Sequence, residues 1–126
     1  MREFRVTLTH RTGELARLTQ LLADAGIDLK SVVGIAENHR AHVCLVTTAV
    51  AEIKAALTEA RIPFTEEEVL SEIVENQPGE VAALTARLSE AGVNLHSLYI
   101  LAREGPMVEL GFTVDDPKKA KKVLGH

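Results

Sequence analysis

The chain contains no tryptophan, one tyrosine, three phenylalanines and a single cysteine in 126 residues. A lone Cys44 excludes an internal disulfide and fits a reducing, cytoplasmic setting. Aromatics are only 3% of the residues, against 46% hydrophobic overall, so a core has to be assembled from aliphatic side chains. No apolar run approaches the ~20 residues of a membrane span. The opening residues MREFRVTLTH enter an alternating pattern without a basic-then-apolar leader, so neither a membrane partner nor a secretory signal is expected. Clustered cations are also scarce. At a net charge of −4, the one basic group is Lys118, Lys119, Lys121 and Lys122, which suits the end of a last helix better than a phosphate backbone, and nucleic acid is not an expected partner.

What is present is a repeat. TGELARLTQLLADAGIDLKSV, from Thr12 to Val32, returns as PGEVAALTARLSEAGVNLHSL from Pro78 to Leu98. The two align without a gap, and identity includes Gly13/Gly79, Glu14/Glu80, Leu18/Leu84, Leu22/Leu88, Gly26/Gly92 and Ser31/Ser97. One supersecondary unit is therefore used twice. A unit of about 60 residues buries little core alone. We place the copies at residues 1–68 and 69–126.

Phe4, Val6 and Leu8 alternate with Arg5, Thr7 and Thr9, the pattern of a half-buried strand. Leu15, Leu18, Leu22 and Ala25 then recur at helical spacing up to Gly26, a left-handed stop. Ser31–Glu37 and Ala41–Thr47 read as a hairpin around Asn38-His39-Arg40. Thr48 is placed to cap a second helix carrying Ile53, Ala56, Leu57 and Ala60, and Pro63 closes it before a short strand from Phe64. Copy two repeats the order through a strand to Glu75, a helix over Gly79–Ala91, strands at Ser97–Arg103 and Val108–Val114, and a final helix capped by Asp116 before Pro117. The order β-α-β-β-α, with a closing β in copy one only, predicts an α+β chain. It has two ferredoxin-like βαββαβ units, each an antiparallel sheet with its helices on one face, the second lacking its last strand. Glu66-Glu67-Glu68 reads as a short, solvated junction. Strand three of copy one, His42 to Val46, is apolar on both faces, which implies that another chain covers the face away from the helices.

The segment NQPGEVAALTARLSEAGVNLHSLY, with VDDPKKAKKVL after the next hairpin, resembles the ACT domain, a small ligand-sensing module of amino-acid metabolism. HRTGELARLTQLLADAGIDLKSV is similar to it, with Thr12 where the family has proline. The resemblance covers essentially the whole chain and leaves no room for a catalytic domain, as in stand-alone tandem ACT proteins. It implies a non-enzymatic, amino-acid-binding regulatory protein, a homodimer with a regulated partner protein, and no cofactor. ACT units pair side by side and hold ligand between the loop after strand one of one unit and the start of strand two of another. The expected ligand residues are therefore His10, Arg11, Thr12, Gly13, Glu14 and Asp28 in copy one. In copy two they are Asn76, Gln77, Pro78, Gly79, Glu80, Asn94 and Tyr99.

Chemistry supports the assignment. A free amino acid presents a carboxylate, suited to N–H groups at a helix start approached through glycine, and an ammonium, suited to Asn or Asp oxygens. If unlike copies face each other, Asn76 would join Asp28 and His10 would join Asn94; like copies could instead pair across a dimer. Asn76 and Asn94 also read as turn residues, and Tyr99 as core or site lining. His39, His42 and Cys44 suggest a metal string, but His39 falls in the turn and no fourth ligand follows at spacing, so no metal is expected. No nucleophile has an obvious base, so no catalytic residue is assigned. The alternative function is a structural dimerisation protein whose ligand sites have decayed.

Overall fold

The computed structural model describes all residues 1–126. In chain order the elements are β1 (Arg2–Thr9), α1 (Glu14–Asp24), β2 (Ser31–Glu37), β3 (Arg40–Thr47), α2 (Val50–Glu59) and β4 (Thr65–Glu68). They continue with β5 (Leu70–Glu75), α3 (Glu80–Glu90), β6 (Leu95–Glu104), β7 (Met107–Val114) and α4 (Pro117–Leu124). The chain divides into two compact units, Met1–Glu67 and Glu68–His126.

In unit 1 the sheet order is β2-β3-β1-β4, the split βαβ arrangement. Register places Phe4 opposite Leu45 and Val6 opposite Val43, so these four side chains share one face. They meet Leu18 and Leu22 of α1 and Ile53, Ala56 and Leu57 of α2 in an aliphatic core, with Phe64 tilted against Phe4 at a centroid distance of 5.7 Å. Unit 2 repeats this with three strands, β5-β7-β6, over Leu84, Leu88, Ala120 and Leu124. The expected α+β fold, with fewer strands in the second unit, is what forms.

Several local expectations change. Leu15 and Ala25 are exposed, because α1 covers the sheet only with its middle turns, through Leu18 and Leu22. Ala60 is also exposed, at the C-cap of α2. Thr48 does not cap α2, whose N-cap is Ala49 without a side-chain bond. The buried Thr47 acts instead. Its Oγ1 accepts from the Ala49 N–H at 3.0 Å and donates to the Asp28 carbonyl at 2.8 Å, tying the α2 entry to the α1–β2 loop. The fourth strand starts at Thr65 and includes the glutamate run, which is not merely solvated. Glu66 lies 3.3 Å from Lys54, Glu67 lies 3.1 Å from Arg5, and Glu68 lies 2.6 Å from Lys121. Asp116 does cap α4, accepting from Lys119 N–H at 3.1 Å, with Pro117 at the first helical position.

The two hairpins differ by one inserted residue and in regularity. β2 and β3 pair without irregularity, whereas β6 bulges between Leu95 and Ser97 and again between Ile100 and Ala102. Near the second bulge a side chain at Gly111 has no room: its Cβ would sit 2.7 Å from Leu101 and 3.0 Å from the ring of Tyr99.

On the face of sheet 1 away from the helices, Glu3 is fully buried and accepts from Arg5 Nε at 3.1 Å. Cys44 shares this face. Burial first, then the Glu3 carboxylate, pushes the Cys44 thiol above its ordinary value of 9.0. Since the thiolate is the nucleophile, we expect an aromatic disulfide reagent at pH 8 to modify native Cys44 far more slowly than the urea-unfolded chain. Equal rates in the two states would contradict the burial described here.

Candidate functional site

The β1–α1 loop is closed at its base by the His10 N–H donating to the His39 carbonyl at 2.7 Å. Its turn is possible because Gly13 adopts φ 90°, a conformation that costs other residues a Cβ clash. Gly13 is also the N-cap of α1 and offers no side-chain acceptor; the Glu14 N–H donates to the Arg11 carbonyl at 3.3 Å, and the next first-turn N–H groups, of Leu15 and Ala16, are left without a cap. They open onto a cleft of about 480 Å³. The loop His10 to Glu14 forms one wall, Leu15 and Ala16 continue it, and Gly34, Ala36, Ala41 and Val43 of the β2–β3 hairpin line the other side.

Charge in this cleft is already spoken for. Arg11 donates to Glu14 Oε1 through Nε at 2.9 Å and Nη2 at 2.6 Å, and Arg17 lies 3.9 Å from the same oxygen. The Arg11 hydrogen bond holds the Glu14 carboxyl below its ordinary range, so Glu14 remains ionised and paired. What remains for a guest is a rim of uncapped N–H groups, which suits a carboxylate, above an aliphatic floor.

Unit 2 has the same loop frame. Asn76 N–H donates to the Pro106 carbonyl at 2.8 Å, Gln77 Nε2 donates to Glu80 Oε1 at 2.8 Å, and Gly79 takes φ 95° as an uncapped N-cap of α3. Asn94 is engaged locally: its Nδ2 donates to Asp115 at 3.3 Å and its N–H at 3.0 Å. That backbone bond lowers the Asp115 carboxyl below its usual range. This is the turn role allowed for Asn94. Asp28, its counterpart, is exposed, and its carbonyl receives Thr47 while its carboxylate makes no hydrogen bond.

Neither unit brings its expected residues to one place. In unit 1, His10 to Glu14 follow Thr9, whereas Asp28 is bonded to Thr47, which pairs with Arg2 at the other end of the 8-residue β1. At ~3.3 Å per residue these ends lie roughly 23 Å apart. Asn76 and Asn94 are separated in the same way, beside Pro106 and Asp115 at opposite ends of β7. Tyr99 lies over Gly111, on the sheet face opposite the core residues Leu110 and Phe112, and so faces away from the Asn76–Glu80 loop. Sequence reasoning missed Gly34, Ala36, Ala41 and Val43. The glycine in the middle of a strand was the available signal, since such a residue marks a close approach or an open space.

No family profile matches the chain, and no curated protein does. Solved structures share its fold. Protein BT0572 from Bacteroides thetaiotaomicron superposes with a TM-score of 0.87 at 19% identity, over 98% of this chain and 85% of that one. The ligand-free regulatory subunit of aspartate kinase from Thermus thermophilus gives 0.69 at 14%, over 98% and 89%. Aspartokinase alpha and beta subunits give 0.69 at 15%, over 98% and 88%. The fold is therefore ACT-like, two ferredoxin-like units in one chain. No helix is long and apolar enough to cross a membrane.

Proposed function

We propose that the chain is a non-enzymatic regulatory protein whose ACT-like units bind a free amino acid. The observation that carries this reading is the uncapped N-terminus of α1, led in by Gly13 and opening onto a cleft of about 480 Å³. The ligand carboxylate sits on the N–H groups of Gly13 and the first turn of α1. Its ammonium is met by an acceptor from a facing unit, since the acceptor positions Asp28 and Asn94 lie at the far end of their own units. Asp28 suits this role, its carboxylate being exposed and anionic, while Asn94 is held by Asp115. A ligand completed by two units favours the arrangement that brings them together, and that differential affinity is the physical requirement for regulation of a partner protein.

Thermal denaturation in the presence of each free amino acid tests the reading. A ligand at a hundred times its dissociation constant adds about 2.7 kcal/mol to the folded state. No shift across the whole set, from a folded protein, would rule the sensor out.

A second reading, a dimerisation protein without a ligand, has one observation in its favour. Leu15 and Val32 in unit 1, and their counterparts Val81 and Leu98 in unit 2, are exposed apolar side chains at matching positions beside edge strands. A silent ligand screen together with a concentration-dependent homodimer would select it.

A further inference from the structure

We infer that only unit 1 carries a working cleft and that this cleft selects a free amino acid with an uncharged aliphatic side chain. The inference rests on the amino-acid reading above and goes on to say which copy binds and what class of side chain it admits.

The argument comes from comparing the two hairpins in register. In unit 1 the residues facing the loop are Gly34 opposite Val43 and Ala36 opposite Ala41. In unit 2 the corresponding pairs are Ile100 opposite Leu110 and Arg103 opposite Val108. The anchoring to the neighbouring strand is equivalent, because Ala41 pairs with Leu8 and Val108 with Val74. Every one of the four positions is larger in unit 2. A Cβ added at Gly34 would meet nothing within 4 Å, and the equivalent position in unit 2 carries an isoleucine side chain, Ile100, which is 45% exposed and stands on the same face as Leu110. The loop frame was duplicated with both glycines retained, but the room beneath it is kept in one copy.

The same residues define what fits. On the sheet side of the cleft Leu8, Gly34, Ala36, Ala41 and Val43 offer a guest side chain aliphatic surface, and the polar lining of Thr9, His10 and Thr12 belongs to the loop side. The nearest cation and anion, Arg11 and Glu14, are bonded to each other at 2.6 Å. A charged side chain would lose its water there and find no free counter-ion, whereas an aliphatic one fills the space at no such cost.

Titration calorimetry on the full chain separates the possibilities, using L-leucine, L-aspartate and L-lysine as probes. We expect leucine to bind with one site per chain and the charged pair at least tenfold more weakly. Gly34→Ile should weaken leucine at least tenfold while leaving the circular dichroism spectrum and melting temperature unchanged. Gly34 lies in a regular edge strand without a left-handed φ, and isoleucine is a good strand former. Ile100→Thr in unit 2 should leave leucine affinity as it was. Wild-type affinity in Gly34→Ile, loss of binding in Ile100→Thr, or preference for aspartate or lysine would each overturn the inference while amino-acid binding itself stands. No heat with any free amino acid would overturn the functional reading, and this inference with it.

Discussion

Phe4→Ala is expected to cost unit 1 about 3–5 kcal/mol, the range for truncating a fully buried aromatic, because Phe4 sits at 0% exposure between Leu45 and the ring of Phe64. Phe64, the one aromatic beside it, already packs against this core, so its ring would have to leave its own place to fill the hole. Phe112→Ala should do the same to unit 2, where Phe112 is equally buried opposite Leu70. Far-ultraviolet circular dichroism in urea reads both, since the chain has no tryptophan to report by fluorescence. The two cores are separate residue clusters. A midpoint that barely moves in either variant would contradict the packing described.

Arg5→Met is expected to cost about 3 kcal/mol for a different reason. It leaves the Glu3 carboxylate at full burial without its guanidinium, and breaking a buried pair costs ~3–5 kcal/mol; the lower end applies because Arg5 itself is 36% exposed. Desolvation, not lost attraction, is the larger component. The double variant Glu3→Leu with Arg5→Met should therefore recover most of the loss, since a leucine at position 3 needs no partner. If the double variant is no more stable than Arg5→Met alone, the cost comes from elsewhere, for instance the Arg5–Glu67 contact at 3.1 Å.

The fold was readable from periodicity because the alternation in β1 and the Leu18/Leu22 spacing in α1 report burial directly. Ser31–Glu37, which does not alternate, was legible instead from the turn Asn38-His39-Arg40 that follows it. Leu15 shows the limit. Helical spacing says which side chains share a face but not how far along the helix the sheet extends, and Leu15 overhangs it. Thr47 and Thr48 are indistinguishable as sequence, and only the turn of β3 decides which hydroxyl faces inward. At the site, the loop from His10 to Glu14 was legible through its glycine and its repeat. The floor was not, because Gly34, Ala36 and Ala41 come from a hairpin that contacts the loop only after the sheet has formed. The tie between Asn94 and Asp115 spans a β-hairpin and gives no local signal either.

The second bulge in β6 bears on the repeat as well as on the shape of the strand. Up to Ile100 the copies correspond at an offset of 66 residues; along β7 the offset is 67, since Leu45 pairs with Phe4 and Phe112 with Leu70. A one-residue slip in a hairpin would send each side chain to the opposite face. The bulge at Leu101 takes up the extra residue instead, so Ile100 stands opposite Leu110 and Arg103 opposite Val108, and the core face of unit 2 stays in phase although its hairpin is one residue longer than its twin.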